Sequence, residues 1–175
     1  MSLKLNKINA SEFLKAFNIM QKSFPRDEYR SEEKQRALFS DPRYTVLTYE
    51  QGDKTIGFLA MWKLEDIGFI EHFAVLPEMR GCGIGSQMLE AAVEYLGKTV
   101  CLEVELPETE TAKRRIGFYS RNGFYLNDYD YVQPAFSSDK NPVPLKIMTT
   151  GGKINESEFL NIKNRLYKDV YKVEK

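Results

Sequence analysis

Residues 77–96 read PEMRGCGIGSQMLEAAVEYL, with Gly81, Gly83 and Gly85 inside five positions and an apolar helical pattern after them. The apolar run FIEHFAVL, residues 69–76, stands directly before the glycines. A strand that gives way to glycines and restarts as a helix leaves unpaired backbone N–H groups, and the positive end of the helix dipole, at the loop. Glycines let the backbone curl so that several N–H groups converge on one anion, and Arg80 adds a guanidinium that can fork onto phosphate oxygens. A diphosphate suits that arrangement. A tight strand-to-helix turn with no ligand suits it as well, so the loop alone does not decide.

Two well-known phosphate loops fail on the residues. A nucleotide P-loop, G-x-x-x-x-G-K-[ST], needs a lysine that does not follow Gly85. A dinucleotide loop, G-x-G-x-x-G, finds Met88 at its third glycine when read from Gly83 and Ser86 when read from Gly81. The acidic residue such a site needs after the next strand is also misplaced, because Glu103 and Glu105 lie within that strand. What remains is R-x-x-G-x-G on Arg80, Gly83 and Gly85.

At 175 residues the chain suits one domain with its own core. Lysine plus arginine equals aspartate plus glutamate, 25 each. A zero formal charge argues against nucleic acid or an anionic membrane as the main partner. Cys82 and Cys101 have no repeated spacing and read as free thiols. With the single histidine, His72, they make no His/Cys metal set, and no metal is expected. No run approaches the length of a membrane span and no basic-then-apolar leader opens the chain, so a cytoplasmic location is expected.

Outward from the loop, residues 11–24 set Phe13, Leu14, Phe17 and Met20 on one helical stripe with Ser11 as N-cap. SEEKQRALF reads as a short second helix. Residues 43–50, 55–64 and 69–76 read as strands joined by the turns QGDK and EDIG. After the glycines, Ile84, Met88, Ala91, Ala92 and Tyr95 form one apolar helix face that Gly97 closes. TVCLEVEL, residues 99–106, alternates Val100, Leu102, Val104 and Leu106 against Glu103 and Glu105. A helix over 111–122, an irregular proline-bearing loop over 133–144, a strand over 144–150 and an amphipathic helix over 157–170 complete the chain. The expected fold is α/β, with a mixed sheet that is antiparallel in its early strands and parallel around the glycine loop, and helices on both faces.

A second landmark, RRIGFYSRNGF at residues 114–124, follows the loop. Together with AVLPEMRGCGIG it resembles the GNAT superfamily, N-acetyltransferases that use acetyl-CoA. The family's R/Q-x-x-G-x-G/A is matched by Arg80, Gly83 and Gly85, and its F-Y-x-x-x-G-F by Phe118, Tyr119, Gly123 and Phe124. The family's N-x-x-A ahead of the tyrosine motif is absent, because those positions hold Ala112 and Arg115. Lys113, Arg114 and Arg115 stand there as substitute cations or as a solvated helix face. The resemblance implies an acetyltransferase domain over residues 1–150 and a helical extension, 151–175, packed on the same domain. That extension can pack on its own sheet or on a second copy, so a homodimer is one expectation.

The resemblance further implies direct attack of an amine on the acetyl thioester in a ternary complex. The co-substrate acetyl-CoA would lay its diphosphate on the backbone of Cys82, Gly83, Ile84, Gly85 and Ser86, flanked by Gly81, Arg80 and Arg114. Its pantetheine arm would pair with the backbone of Phe73, Ala74 and Val75, which requires the strand over 69–76 and the strand over 99–106 to splay apart. Tyr119 is the expected general acid. Glu71, on the face of Phe73 and Val75 by the two-residue period, is the expected base, with His72 second on the opposite face. The acceptor, a small molecule or a peptide, would meet the loop FPRDEYR, where Asp27 and Glu28 suit an amine and Arg26 and Arg30 suit a carboxylate. The loop over 133–144, with Tyr129, Tyr131 and Phe136, would form another wall. The competing expectation is a domain of this fold that senses acyl-CoA without turnover.

Overall fold

Short turns decide which strands meet first. β2 (Tyr44–Gln51) and β3 (Lys54–Lys63) are joined through Gly52, whose φ of +60° lets the hairpin close. β4 (Gly68–Val75) returns antiparallel to β3. In the computed structural model, which describes residues 3–173, the other elements are β1 (Asn6–Lys7), α1 (Leu14–Ser23), α2 (Glu32–Ala37), α3 (Ile84–Leu96), β5 (Val100–Glu105), α4 (Glu110–Arg121), β6 (Phe124–Gln133), β7 (Val143–Thr150) and α5 (Glu156–Asp169). The sheet has seven strands in the order β1-β2-β3-β4-β5-β7-β6. Among the described strands only β4 and β5 run parallel, with α3 as their crossover. The expected mixed α/β sheet is therefore the observed one.

Each face of the sheet carries its own core. Phe13 at the start of α1, Phe17 and Met20 within it, and Phe159, Ile162 and Leu166 of α5 pack on Phe58, Trp62 and Phe69. Ile84, Met88 and Leu96 of α3 and Tyr119 of α4 pack on Leu59, Ile70 and Leu102 on the other face. Each of these large side chains contributes about 1.5–3 kcal/mol on leaving water. The apolar stripe of α5 is thus spent inside its own chain. Among the described residues no helix is long and apolar enough to cross a membrane.

Several local expectations need correction. A 3-10 turn at Ala10–Glu12 precedes α1, and its cap is Asn9, which forms a capping box with Glu12, rather than Ser11. The later helix start turns Leu14 outward, and Ala16 takes its place in the buried stripe. On α3, Leu89 and Leu96 are inside while Tyr95 is exposed. The whole of β6 lies in a stretch with no expected strand. Its sequence, FYLNDYDYVQ, carries Asn127, Asp128 and Asp130, residues depleted in strands. The structure absorbs them at a register shift between Asn127 and Tyr131. Buried Asn127 donates to Ile147 O and Thr149 Oγ1 and accepts from Ile154 N, while the two aspartates face water beside Lys146.

Candidate active site

β4 and β5 pair only at Gly68–Val100, Phe69–Cys101 and Ile70–Leu102. Beyond Ile70 the two strands diverge, which is the splay expected for an acyl-CoA arm. On its other edge β4 carries a bulge: Ala60 pairs with His72 and Met61 with Ile70, so Glu71 is the extra residue. A bulge bends and twists the strand that holds it. It also breaks the two-residue alternation. Ile70, Phe73 and Val75 contact the α3 face, whereas Phe69 and Ala74 contact the α1 face. Glu71 and His72 both turn toward the α1 side, so the expected sharing of one face by Glu71, Phe73 and Val75 does not occur.

A cavity of about 40 Å³ lies in the divergence, lined by Glu28, Glu71, Glu103 and Glu105 together with Phe73, Arg115 and Tyr119. Four carboxylates meet one lining guanidinium. Glu71 is buried beside Arg30 Nη1 at 2.8 Å and accepts from Trp62 Nε1 at 3.2 Å. Glu103 accepts from Tyr131 Oη at 2.5 Å and Tyr171 Oη at 2.6 Å, one phenol on each oxygen. Burial pushes its carboxyl up to about 7 against those two bonds. Burial, then the charge of Glu105, pushes Glu28 up to about 7 as well, and Arg115 opposes this. Glu105 itself pairs with Arg115 at 3.2 Å.

His72 is buried and its Nε2 donates to the Glu28 carbonyl at 2.7 Å, which leaves Nδ1 without the proton. Burial lowers its pKa, so the ring is neutral. It pins the 3-10 turn Arg26–Glu28 (and with it the Glu28 side chain) over the cavity. Tyr119 sits in the cavity wall between the rings of Phe118 and Phe124. Its hydroxyl has no hydrogen-bond partner among the described residues, and burial pushes it up to about 12 while Arg115 pulls it down.

The loop before α3 leaves backbone amides open. Gly81 and Gly83 both have φ of +82°, a region costly for any side chain. α3 opens with no acidic residue in its first turn and no side-chain cap, so the amides of Ile84, Gly85 and Ser86 remain open. A Cβ on Gly85 would stand 3.4 Å from the Phe118 ring, so the glycine also brings α3 against α4. Arg80 is exposed, donates through Nε to Val75 O at 3.0 Å and has no acidic partner among the described residues. Cys82 is exposed on the same loop.

The basic cluster on α4 divides. Lys113 pairs with Glu110, Arg115 turns into the cavity, and Arg114 is exposed with no acidic partner among the described residues. The loop after α1 does not offer both charge signs. Arg26 is bound to Asp139 at 2.5 Å, Asp27 accepts from Asn141 N at 3.0 Å, and Arg30 faces Glu71. Only Glu28 points into the cavity. Tyr129 and Tyr131 belong to β6 rather than to the proline-bearing loop, and Phe136 of that loop stacks on Arg30 at 4.4 Å. Sequence reasoning missed Trp62, Tyr131 and Tyr171 as partners of the cavity carboxylates; no local pattern marks a phenol that reaches across the fold.

Residues 11–124 match the Acetyltransferase (GNAT) family. No curated protein matches the sequence. Among solved structures, a Bacteroides thetaiotaomicron protein assigned to the GNAT acetyltransferases is 32% identical, with 98% of this chain and 100% of that chain covered and a TM-score of 0.89. The ribosomal-protein-S18-alanine N-acetyltransferase of Escherichia coli is 21% identical over 87% of this chain and 95% of that one, with a TM-score of 0.65. PaiA N-acetyltransferase of Thermoplasma acidophilum, solved in complex with coenzyme A, is 17% identical over 86% and 99% of the two chains, with a TM-score of 0.63. The last two share the fold. The chain belongs to the GNAT acetyltransferase family.

Proposed function

We propose that the chain is an acetyl-CoA-dependent N-acetyltransferase whose acceptor is a primary amine with no carboxylate beside it. The observation that carries this reading is the contrast between two places along β4: after its end, open amides and an Arg80 with no acidic partner among the described residues, and beside its middle, a cavity lined by four carboxylates. The fit to acetyl-CoA rests on those amides for the diphosphate, with Arg80 and Arg114 nearby, and on the diverging edge of β4 at Phe73, Ala74 and Val75 for the pantetheine amides. Bound there, acetyl-CoA supplies an activated acyl group that an amine can attack directly, with the thiolate as leaving group.

The cavity of about 40 Å³ has room for an amino group together with a few water molecules. Glu28, Glu103 and Glu105 draw a cationic end into it, and the arginine among its described lining residues, Arg115, is already paired with Glu105. An ammonium must lose a proton before it attacks. Sequence reasoning gave that role to Glu71, which here faces the fixed positive charge of Arg30 in a buried ion pair, so that protonating it would strand that charge. We assign proton uptake instead to Glu28 and Glu103, both poised near 7, with Glu71 as the anchored member. Tyr119 keeps the acid side. A phenol near 12 facing a thiolate of about 8.5 transfers its proton uphill by roughly 5 kcal/mol, so it acts by donating a hydrogen bond to the charge that develops on sulfur.

The test is thiol release from acetyl-CoA across diamines, amino acids, amino sugars and peptides, with Tyr119→Phe alongside. Release with amines lacking a carboxylate, lost in the variant, supports the reading. Binding of acetyl-CoA with no release from any amine would point to a sensor.

A further inference from the structure

α5 and the residues after it lie outside the stretch that matches the family, yet they reach the cavity proposed for the acceptor. Tyr171 Oη donates to Glu103 Oε1 at 2.6 Å, and the Val170 carbonyl accepts from Arg30 Nη2 at 3.2 Å. Arg30 in turn pairs with Glu71. The two most buried cavity carboxylates therefore each depend, directly or through one arginine, on the last turn of the C-terminal segment. That turn is firmly held. A capping box of Asn155 and Glu158 starts α5, Phe159, Ile162, Leu166 and Val170 are buried, and Asp169 pairs with Arg43 at 3.2 Å. Lys172, at φ +56°, then turns the chain away immediately after Tyr171.

We propose that Tyr171 is a positioning residue of the transfer reaction: the C-terminal segment aims the Glu103 carboxylate at the acceptor amine and sets the pH at which it takes the proton. The kinetic part of this proposal rests on the amine-acceptor reading. Two opposing influences meet at Glu103. Burial and the negative charges of Glu71 on β4 and Glu28 after α1 favour the neutral acid. The phenols of Tyr131 and Tyr171 favour the carboxylate, because a donated hydrogen bond stabilises the charged form. Tyr167 of α5 faces the same group, Arg30 is shared with Glu71, and Arg115 is engaged by Glu105. The extension supplies both Tyr167 and Tyr171 to this set, and Tyr171 is the one whose hydroxyl donates to the Glu103 carboxylate.

The experiment compares the parent protein with Tyr171→Phe, which keeps the ring and removes one hydroxyl. The Glu103 carboxyl is followed by NMR in protein labelled at its glutamate carboxyl carbons, its resonance identified by loss in Glu103→Gln. Loss of the donor should raise its pKa from about 7 to about 8. Turnover at pH 7 should fall about five-fold and recover by about pH 9, with acetyl-CoA affinity unchanged. In a Glu103→Gln background the same substitution should cost nothing more. A carboxyl that titrates as in the parent, or a loss of rate equal at every pH, would overturn the proposal. The NMR arm needs no acceptor, so it decides on Tyr171 even if no amine is acetylated, an outcome that would sink only the reading of the reaction.

Discussion

Everything that suits the glycine loop to the proposed diphosphate lies between Arg80 and Ser86, and most of it is backbone. The cavity proposed for the acceptor draws Glu28 from a 3-10 turn, Glu71 from β4, Glu103 and Glu105 from β5, and Arg115 and Tyr119 from α4. Tyr131 of β6 and Tyr171 beyond α5 stand behind them. One half of the site is local and made of open amides; the other is assembled across the fold from side chains that hold one another's charge. The local half should tolerate changes elsewhere in the molecule, whereas the assembled half should fail when any one support is removed.

The largest effect is expected at Arg30. Arg30→Ala leaves Glu71 buried without its counter-ion, a loss of about 3–5 kcal/mol that should lower Tm by roughly 10 °C in thermal unfolding. An unchanged Tm would mean that the assembled half is not held by this pair. Tyr119→Phe should lower kcat about a hundred-fold while acetyl-CoA still binds, as read by steady-state kinetics and calorimetry. Gly83→Val forces a branched side chain to φ +82° and should weaken acetyl-CoA binding roughly ten-fold or more. The pH dependence carried by the carboxylates should survive that substitution; its loss would join the two halves that the geometry separates.

Glu28 and Glu103 give a smaller, signed effect. Both carboxyls sit near 7 in the folded chain and near the ordinary glutamate range when unfolded. Between those values the folded state holds more protons, so stability contributed by these groups is present at the acid end and is lost as pH rises toward 7. Turnover moves the opposite way and rises through pH 7 as the bases ionise. Glu28→Gln should flatten part of both slopes, seen in melts and rates from pH 5 to 9. The smallest effect is at Arg114, exposed and without an acidic partner: Arg114→Ala should raise the acetyl-CoA KM about two- to three-fold, less at high salt, with stability within about 0.5 kcal/mol.

The same division explains what could be read from the residues. The glycine loop was legible because positive φ and free amides demand glycines at fixed spacing, and Gly81, Gly83 and Gly85 record that demand directly. The alternation of Val100, Leu102 and Val104 likewise located β5 and its apolar face. The bulge at Glu71 left no local mark, because it depends on which residues of β3 lie opposite, and it moved Glu71 to the other face. β6 was hidden by Asn127, Asp128 and Asp130, whose polarity serves a buried hydrogen-bond hub and a lysine pair instead of a turn. Tyr171 was one aromatic on an amphipathic tail until the fold carried it to Glu103.

The most direct measurement is a head-to-head competition, read by mass spectrometry, between 1,5-diaminopentane and lysine at equal concentration with acetyl-CoA in excess. The two share the reacting amine and differ in the carboxylate. An acidic cavity whose lining arginine, Arg115, is already paired with Glu105 predicts that acetyl-diaminopentane dominates by about ten-fold or more. A product mixture dominated by acetyl-lysine would contradict the account.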